Sequence, residues 1–284
     1  MIVAIVGPTG VGKTKMSIEL AKCLNAIIIN CDAVQVYREL NIGSAKVTEE
    51  EKEGISHFLL DIKNINEDYT VMDYQKDLRE LIKKYNHQNI IIVGGTGLYL
   101  CAGLMDYRFE EEKEDNNSYD ELSNEELYQL AIAKDGNCDI HQNNRVRLIR
   151  FLNRKNTVNV EPKLLYSNVH FIGLTTDRDN LYKVINRRVD KMIEQGLYDE
   201  AQRLYVKYPE SRVLHSAIGY KELIAHFDGK ISLEEAIDNI KQNSRHYAKR
   251  QYTWFNNKMD VKWFEVNYAD FSQTIESVKK YLKI

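Results

Sequence analysis

Residues 7–14 read Gly-Pro-Thr-Gly-Val-Gly-Lys-Thr and directly follow the apolar run Ile-Val-Ala-Ile-Val at residues 2–6. The stretch has the form G-x-x-x-x-G-K-[ST], a glycine-rich turn that directs several backbone N–H groups at one point and suits a diphosphate or triphosphate. Residues 15–24, next in the chain, carry apolar side chains at helical spacing. A strand, this loop and a helix in succession predict a phosphate-binding loop within an α/β sheet.

Each position of the loop has a predicted task. Glycines allow positive φ and close backbone approach to phosphate. The motif assigns Lys13 to the outer phosphates and the Thr14 hydroxyl to a magnesium ion. The predicted diphosphate site consists of Gly7, Pro8, Thr9, Gly10, Val11, Gly12, Lys13 and Thr14. A chance match is the competing interpretation, and the agreement of all fixed positions with both flanking elements argues against it.

Further apolar runs predict the rest of the sheet. Residues 26–30 and 90–93 are rich in isoleucine, and residues 57–62 and 169–174 are shorter candidates. Residues 69–85 between them have the apolar stripe of an amphipathic helix. Such strands separated by helices are typical of a parallel sheet covered on both faces. We therefore predict an α/β fold: a P-loop parallel sheet with helices on both faces, a short helical insertion and a helical C-terminal third.

The composition changes near residue 110. Residues 110–126 carry nine acidic residues and one lysine, and a short helical stretch follows at 125–133. A solvated acidic face explains most of these charges. We predict a P-loop catalytic core of residues 1–102 and 141–284, interrupted by a small acidic, helical insertion at 103–140. Helices are predicted in the last third at 179–195, 197–208, 217–227 and 232–255, the last with a capping box at Ser232 and Glu235.

The overall composition is that of an ordinary globular protein. The chain has 284 residues, 43% of them hydrophobic and 29% charged, with a net charge of −3 that gives no general cue for nucleic acid. Cys23, Cys31 and Cys101 lie in apolar surroundings, which predicts reduced, packed cysteines. No apolar run approaches a membrane span, and the first residues enter a strand rather than a signal peptide. We expect a cytoplasmic, monomeric protein that does not bind membranes.

Polar residues follow two of the predicted strands. Because ligands bind at the carboxyl ends of strands in open α/β sheets, residues 30–37 and 94–99 should meet the phosphate loop there. Asp32 suits three roles, as a helix N-cap, a metal ligand or a general base. Thr96 stands in the turn Gly-Gly-Thr-Gly, either as turn chemistry or as a hydroxyl close to a substrate.

Two segments are locally basic. Arg145, Arg147 and Arg150 fall on one predicted helix, where ordinary surface ion pairs are the alternative to a binding role. Residues 245–255 read Arg-His-Tyr-Ala-Lys-Arg-Gln-Tyr-Thr-Trp-Phe. Basic residues interleaved with aromatic ones suit an RNA backbone and a stacking platform. An amphipathic helix packed by its aromatic side chains is the competing interpretation, and both descriptions can hold.

Taken together, these motifs resemble the tRNA dimethylallyltransferase family. The resemblance rests on residues 7–14, 43–46, 57–62, 143–152 and 218–223 and on three family-specific segments: Asp-Ala-x-x-x-Tyr at 32–37, Gly-Gly-Thr-Gly-Leu-Tyr at 94–99 and Ala-Lys-Arg-Gln-x-Thr-Trp-Phe at 248–255. It runs in order across nearly the whole chain. Two departures are a short, acidic insertion and Ser44 where the family usually has threonine.

The resemblance implies an activity and its residues. The phosphate loop would bind dimethylallyl diphosphate, with Mg²⁺ on Thr14, and the prenyl group would pass to the N6 amine of adenosine 37 in the anticodon loop of tRNA. Asp32, as general base, Thr96 and Lys13 would be catalytic, and the insertion would contact the anticodon stem. The residues matching tRNA-contacting segments are Asp32, Ala33, Val34, Gln35, Thr96, Asn143, Asn144, Arg145, Val146, Arg147, Arg245, His246, Tyr247, Ala248, Lys249 and Arg250.

Three other functions share some of these features. A nucleotide or metabolite kinase has the same loop and sheet, but residues 103–140 hold Arg108 as the one arginine for a lid. A prenyltransferase acting on free adenine nucleotides would keep the loop and Asp32, with less need of a basic C-terminal helix. An RNA-binding protein without activity would have no use for intact Lys13, Thr14 and Asp32.

Overall fold

The computed structural model describes residues 1–109, 119, 121–136, 138–153 and 162–284. Contacts among these residues divide the chain into two units. The first comprises Met1–Met105 and Leu165–Ile284, and the second comprises Asp106–Leu164.

The first unit is built on a six-stranded parallel sheet. Its strands in chain order are β1 (Ile2–Val6), β2 (Ala26–Asn30), β3 (His57–Phe58), β4 (Asn89–Val93), β5 (Val169–Thr175) and β6 (Lys262–Glu265). Across the sheet the order is β3-β2-β4-β1-β5-β6, and each neighbouring pair is parallel. The carboxyl ends of β1, β2 and β4 therefore meet at the centre of one edge.

Helices connect and cover these strands. In chain order they are α1 (Lys13–Leu24), α2 (Val71–Lys84), α3 (Gly97–Leu104), α4 (Asn124–Lys134), α5 (Arg145–Asn153), α6 (Arg178–Glu194), α7 (Leu197–Lys207), α8 (Arg212–Ser216), α9 (Tyr220–Phe227), α10 (Leu233–Lys258) and α11 (Phe271–Leu282). Helices α4 and α5 belong to the second unit. None of the helices among the described residues has the length and apolar composition that crossing a bilayer would require.

The core follows from the two-residue period of the strands. Alternate residues of β1 enter two separate clusters of buried side chains, Ile2, Ala4 and Val6 in one and Val3 and Ile5 in the other. The first cluster is completed by α2, α3 and the helices from α7 to α10, and the second by α1 and α11. Both faces of the sheet are thus covered, which is why its strands are almost wholly apolar.

The predicted fold class is confirmed, with differences in detail. The strand expected at 57–62 is limited to His57–Phe58, and Ser232 and Glu235 form the predicted capping box of α10. The sequence analysis assigned neither β6 nor α11. Strand β6 has the short, half-exposed sequence Lys-Trp-Phe-Glu of an edge strand, which gives little periodic signal. The packing predicted for Cys23 is wrong, because that residue is exposed, whereas Cys31 and Cys101 are buried.

The second unit has a small core of its own. Leu127 and Ala131 of α4 pack with Leu148 of α5 and with Ile140. Helix α5 therefore belongs with the insertion. The sequence, by contrast, predicts that residues 141–153 are part of the P-loop catalytic core. Most of the acidic run at 110–126 lies outside the described residues.

Candidate active site

The phosphate loop joins β1 to α1 with the backbone that its glycines permit. Gly7 has φ +134° and Gly12 has φ +97°. A Cβ atom at Gly7 would lie 2.5 Å from the Leu174 carbonyl oxygen, and one at Gly12 would lie 2.7 Å from the Phe271 ring. Both positions therefore require glycine for the space as well as for the dihedral angle. The loop ends at the first turn of α1, where backbone N–H groups are open to an anion.

Two cations converge on this loop. The Lys13 ammonium donates hydrogen bonds to the Gly7 and Pro8 carbonyl oxygens at 3.0 and 2.9 Å, and Arg188 of α6 donates to the Thr9 hydroxyl at 3.2 Å. Burial, and next the charge of Arg188, lower the pKa of Lys13 to about 7. Burial also lowers the pKa of Arg188. Two cations held together with so little water form a site prepared for an anion.

Asp32 follows β2 and organises its own turn. Its Oδ1 accepts hydrogen bonds from the backbone N–H groups of Val34 (2.8 Å) and Gln35 (3.3 Å). Its Oδ2 has no hydrogen-bond partner within the described part of the chain. No helix lies between Asp32 and β3, a stretch that the structure describes throughout, so Asp32 is not the helix N-cap that was one of its three candidate roles. One oxygen instead closes a turn, while the other is open to act as a base or a metal ligand. Beside it, the Thr96 hydroxyl accepts a hydrogen bond from the Ala33 N–H at 3.1 Å.

Helix α10 supplies two further residues to this edge of the sheet. The Gln251 side chain, buried, accepts from the Thr9 N–H at 2.9 Å and donates to the Gly95 carbonyl at 3.1 Å. It thereby fixes the phosphate loop to the turn that holds Thr96. Burial, and next the charge of Asp32, raise the pKa of Tyr247, which keeps its hydroxyl protonated.

These groups line two adjoining cavities. The larger, of about 580 Å³, is lined by the phosphate loop, Asp32, Gly94 and Gln251, and the smaller has about 270 Å³. Five residues line both: Thr9, Asp32, Ser44, Arg188 and Tyr247. The larger volume is in the range of small-molecule sites. Because Asp32 lines both cavities, its carboxylate is accessible to a ligand in either one.

Of the residues expected near an acceptor base, Val34 and Gln35 line these cavities, whereas Ala33 and Thr96 line neither. Val34 lines the smaller cavity and Gln35 the larger one. The Gln35 amide donates to the carbonyl oxygens of Ser44 (3.0 Å) and Ala45 (3.3 Å). These contacts attach the residues after Asp32 to the loop at 40–46.

The basic segment of α10 is partly packed and partly exposed. Arg245 donates to the Asn186 side chain at 2.7 Å and lies over the Tyr182 ring, both on α6. Arg250 is exposed and lies over Tyr247. His246 and Lys249 are exposed as well, whereas Ala248 is fully buried with Leu181 and Ile185. The side chain of Ala248 therefore packs α10 on α6 and offers no surface to a ligand.

The other predicted tRNA segment, Asn143 to Arg147, lies in the second unit. Val146 and Arg147 are exposed there, as are Asn143 and Asn144. The Arg145 guanidinium donates to the Leu122 and Tyr119 carbonyl oxygens at 2.6 and 2.5 Å. Arg145 thus holds α5 to the residues that precede α4, and its role in binding RNA stays a prediction.

A magnesium ion can be accommodated if the substrate supplies most of its ligands. Within the described residues, no group of three or more His, Cys, Asp or Glu side chains is placed to hold a metal. Thr14 and Asp32 both line the larger cavity, and hydroxyl and carboxylate oxygens are the ligand types that magnesium prefers. The residues fit an ion held mainly by phosphate oxygens and water.

A phosphate loop that opens into a cavity beside an uncommitted carboxylate oxygen defines a P-loop enzyme. The pattern of the IPP transferase family matches residues 35–258. The chain belongs to this family, and the resemblance inferred from its motifs is confirmed.

Individual relatives agree over almost the full length. A tRNA dimethylallyltransferase of Anoxybacillus flavithermus is 45% identical, covering 99% of this chain and 96% of its own. The crystal structure of a tRNA isopentenylpyrophosphate transferase from Bacillus halodurans is similar with a TM-score of 0.79 at 41% identity, covering 99% of this chain and 95% of that one. A eukaryotic dimethylallyltransferase, described as acting on tRNA, has a TM-score of 0.82 at 26% identity, with 98% and 77% covered.

Two residues of the site, the half-buried Arg188 and the buried Gln251, were not among the candidates predicted from the sequence. Arg188 is one of several basic residues in α6, and Gln251 stands in a segment noted for its charges. The position of Arg188 in the sequence did give a signal. Arg188 lies three residues after Ile185 and directly before Val189, and both of these are buried. Helical spacing therefore places Arg188 close to the apolar face of α6.

Proposed function

We propose that this protein transfers the dimethylallyl group of dimethylallyl diphosphate to the exocyclic N6 amine of adenosine 37 in tRNA and releases diphosphate. The observation that carries the proposal is a single cavity that the phosphate loop and Asp32 both line and that shares five wall residues with a second cavity. The names of the relatives support tRNA as the acceptor.

The larger cavity suits the prenyl donor. Loop N–H groups, Lys13 and Arg188 would hold the diphosphate, and this arrangement contacts phosphates alone, so that no nucleoside is needed. Six apolar side chains also line the cavity: Ile18, Ile28, Val47, Leu60, Val93 and Val184. These apolar side chains can contact the five-carbon tail of the donor and so bury it away from water.

The reaction exchanges one bond for another. The N6 lone pair attacks the first carbon of the allyl group, the carbon–oxygen bond breaks, and its electron pair leaves with the diphosphate. The adenine amine is a weak nucleophile because its lone pair is conjugated with the ring, so a base must take its proton. The open Oδ2 of Asp32 would accept that proton, a step worth about 10²–10⁴-fold.

The activation barrier also depends on the negative charge that develops on the diphosphate as it leaves. Lys13 and Arg188 lie where the new negative charge would develop, and groups oriented in advance stabilise a transition state without reorganisation. A magnesium ion on the Thr14 hydroxyl, when bound, would neutralise further charge on the phosphate oxygens. Thr96 would hold the turn after Asp32 through the Ala33 N–H and so aim the carboxylate.

The acceptor would enter through the smaller cavity. Adenosine 37 must leave its stack in the anticodon loop to reach Asp32, at a cost of a few kcal/mol. Contacts to the RNA backbone on both sides of the base must offset this cost. Arg250 lines the smaller cavity, and with Arg245, His246 and Lys249 it would hold the phosphates. The segment from Asn143 to Arg147 would contribute contacts to the anticodon stem.

Removing either the half-buried Arg245 or the exposed Arg250 of α10 tests the RNA surface. We expect Arg245→Ala and Arg250→Ala each to weaken tRNA binding and to reduce the slope of log K against log salt by about 0.7–0.9, the share of one phosphate. Lys241→Ala is the matched control, because Lys241 on the same helix is already paired with Asp190 at 2.6 Å. Unchanged slopes in both arginine variants would show that α10 does not bind RNA.

The lowered pKa of Lys13 makes diphosphate binding depend on pH. Above about pH 7 the free protein holds Lys13 neutral, and a bound diphosphate favours the charged form, so binding takes up a proton. We expect uptake to rise between pH 6 and 9 toward about one proton, and affinity to fall over that range. Calorimetry in buffers of different ionisation enthalpy measures the uptake. Lys13→Arg is the control, since arginine stays charged, and equal uptake in both proteins would contradict the assignment.

Incubation with labelled dimethylallyl diphosphate and magnesium tests the function as a whole. We expect label in bulk tRNA and none in AMP. Label in AMP would favour the prenyltransferase of free nucleotides, and phosphoryl transfer from ATP would favour the kinase. We propose that the protein acts as a monomer in the cytoplasm, where its tRNA acceptor is found.

A further inference from the structure

A carboxylate outside the reaction centre is buried and fully engaged. Glu200 of α7 is 8% exposed. It accepts hydrogen bonds from three consecutive backbone N–H groups, those of Asn41 (3.3 Å), Ile42 (3.0 Å) and Gly43 (3.2 Å). The Tyr220 hydroxyl donates to its Oε1 at 2.6 Å.

The Glu200 carboxylate holds the backbone of the loop at residues 40–46 in one conformation. Glu200 has no salt bridge among the described residues, so backbone N–H groups and one hydroxyl offset its desolvation. Successive N–H groups that converge on one anion form a nest, a geometry that often binds a ligand and is here filled by the protein itself. Residues 40–46 contain no helix or strand, although two backbone hydrogen bonds close turns within the loop, from the Ala45 N–H to the Ile42 carbonyl oxygen and from the Lys46 N–H to the Asn41 carbonyl oxygen. The Glu200 carboxylate attaches this turn to α7.

The side chain of Tyr220 also packs against the loop at 40–46. A Cβ atom at Gly43 would lie 2.6 Å from Cε2 and Cζ of this ring, so the loop backbone lies close against the hydroxyl end of Tyr220. Burial, followed by the charge of Glu200, raises the pKa of Tyr220 far above its ordinary value. Its hydroxyl therefore remains a donor to the carboxylate.

The same loop forms part of the wall beside Asp32. Gly43 and Ser44 line the smaller cavity, and Ser44 and Ala45 line the larger one. The carbonyl oxygens of Ser44 and Ala45 accept from the Gln35 amide, and the Gln35 N–H donates to Asp32. A continuous set of hydrogen bonds thus runs from α7 through the loop to Gln35 and Asp32.

We propose that Glu200 is a positioning residue for the acceptor: it fixes the loop at 40–46, whose Gly43 and Ser44 form part of the wall against which the extruded adenine lies. Glu200 lines neither cavity and touches no substrate. The proposal rests on the proposed function, because it assigns the smaller cavity to the base. Ser44 and Ala45 also line the larger cavity, but the diphosphate there would be held by the phosphate loop, Lys13 and Arg188, none of which hydrogen-bonds to Glu200.

The test is Glu200→Gln, which keeps the shape and turns one oxygen into an N–H₂ group facing N–H donors. We expect the KM for tRNA to rise about tenfold or more, the effect of losing one hydrogen bond to a charged group. The dissociation constant of inorganic diphosphate should stay at the wild-type value. Tyr220→Phe removes one donor and should shift the KM for tRNA in the same direction by a smaller factor.

The matched control is Glu39→Gln. Glu39 also links residues before the loop to α7, through Arg203 at 2.8 Å and Lys207 at 3.2 Å, but this ion pair is exposed and contributes little. Its KM for tRNA should be unchanged.

A wild-type protein that does not prenylate tRNA would refute the proposed function. An active wild type with unchanged KM for tRNA in both Glu200→Gln and Tyr220→Phe would refute the role of Glu200 alone. A parallel loss of diphosphate affinity would also refute it, since that points to general disorder. If Glu200→Gln does not fold, the KM of Tyr220→Phe decides.

Discussion

Replacing Asp32 with asparagine should lower the rate of prenyl transfer by about 10²-fold or more, the contribution expected of a general base. The substitution preserves the oxygen that accepts from the Val34 and Gln35 N–H groups, so the turn keeps its shape. It removes the ability of the second oxygen to take a proton. The affinity for tRNA should therefore stay close to the wild-type value. Single-turnover rates and filter binding with one tRNA preparation measure both quantities.

The comparison with Asp32→Ala separates the two roles of this side chain. Alanine removes the turn hydrogen bonds as well as the base, so it should add a loss of tRNA affinity that asparagine does not cause. Prenyl transfer at the wild-type rate by Asp32→Asn would remove Asp32 from the chemistry and leave it only the role of closing the turn.

Replacing Arg188 with methionine should lower prenyl transfer by about 10²–10³-fold, the effect of removing one preorganised charge donor. Arg188 is half-buried, donates to the Thr9 hydroxyl and faces Lys13. Its loss should also raise the pKa of Lys13, because the charge of Arg188 is the second cause of the lowered value. Proton uptake on diphosphate binding at pH 8 should therefore shrink, a change that a purely structural defect would not produce.

The neighbouring residue provides the control. Arg187 is exposed on the same helix, and Arg187→Met should leave both the rate and the proton uptake unchanged. Without ligand, Arg188→Met should lose little stability, because the repulsion between two neighbouring, half-buried cations disappears with it. Prenyl transfer close to the wild-type rate would show that Arg188 serves only to hold the phosphate loop.

The parts of this site that follow a strand could be predicted from the sequence. The phosphate loop and Asp32 are contiguous with apolar runs, and the rule that strand ends converge then places them together. Arg188, Gln251 and Glu200 could not be predicted in this way. They lie on helices far along the chain, and their roles depend on which turn of each helix reaches the sheet edge, a property of tertiary packing.

The same distinction applies to the fold. The central strands are long, apolar and β-branched, so their pattern decides their structure. Strand β6 is a short edge strand, and the helix after it depends on contacts with α1, including Phe271 against Gly12. Such elements are defined by what they pack against, and periodicity alone gives a weak signal for them. Cys23 has apolar neighbours in sequence but stands on the solvent side of α1, which sequence proximity cannot reveal.

The most direct test of the account is a crystal structure with a non-reactive analogue of dimethylallyl diphosphate and an anticodon stem-loop. We expect the diphosphate on the phosphate loop beside Arg188 and adenosine 37 extruded toward Asp32. The N6 atom should lie about 3–3.5 Å from the first allyl carbon and within hydrogen-bond reach, about 2.6–3.2 Å, of the Asp32 carboxylate. A prenyl tail directed away from Asp32, or an adenosine that remains stacked in its loop, would contradict the account.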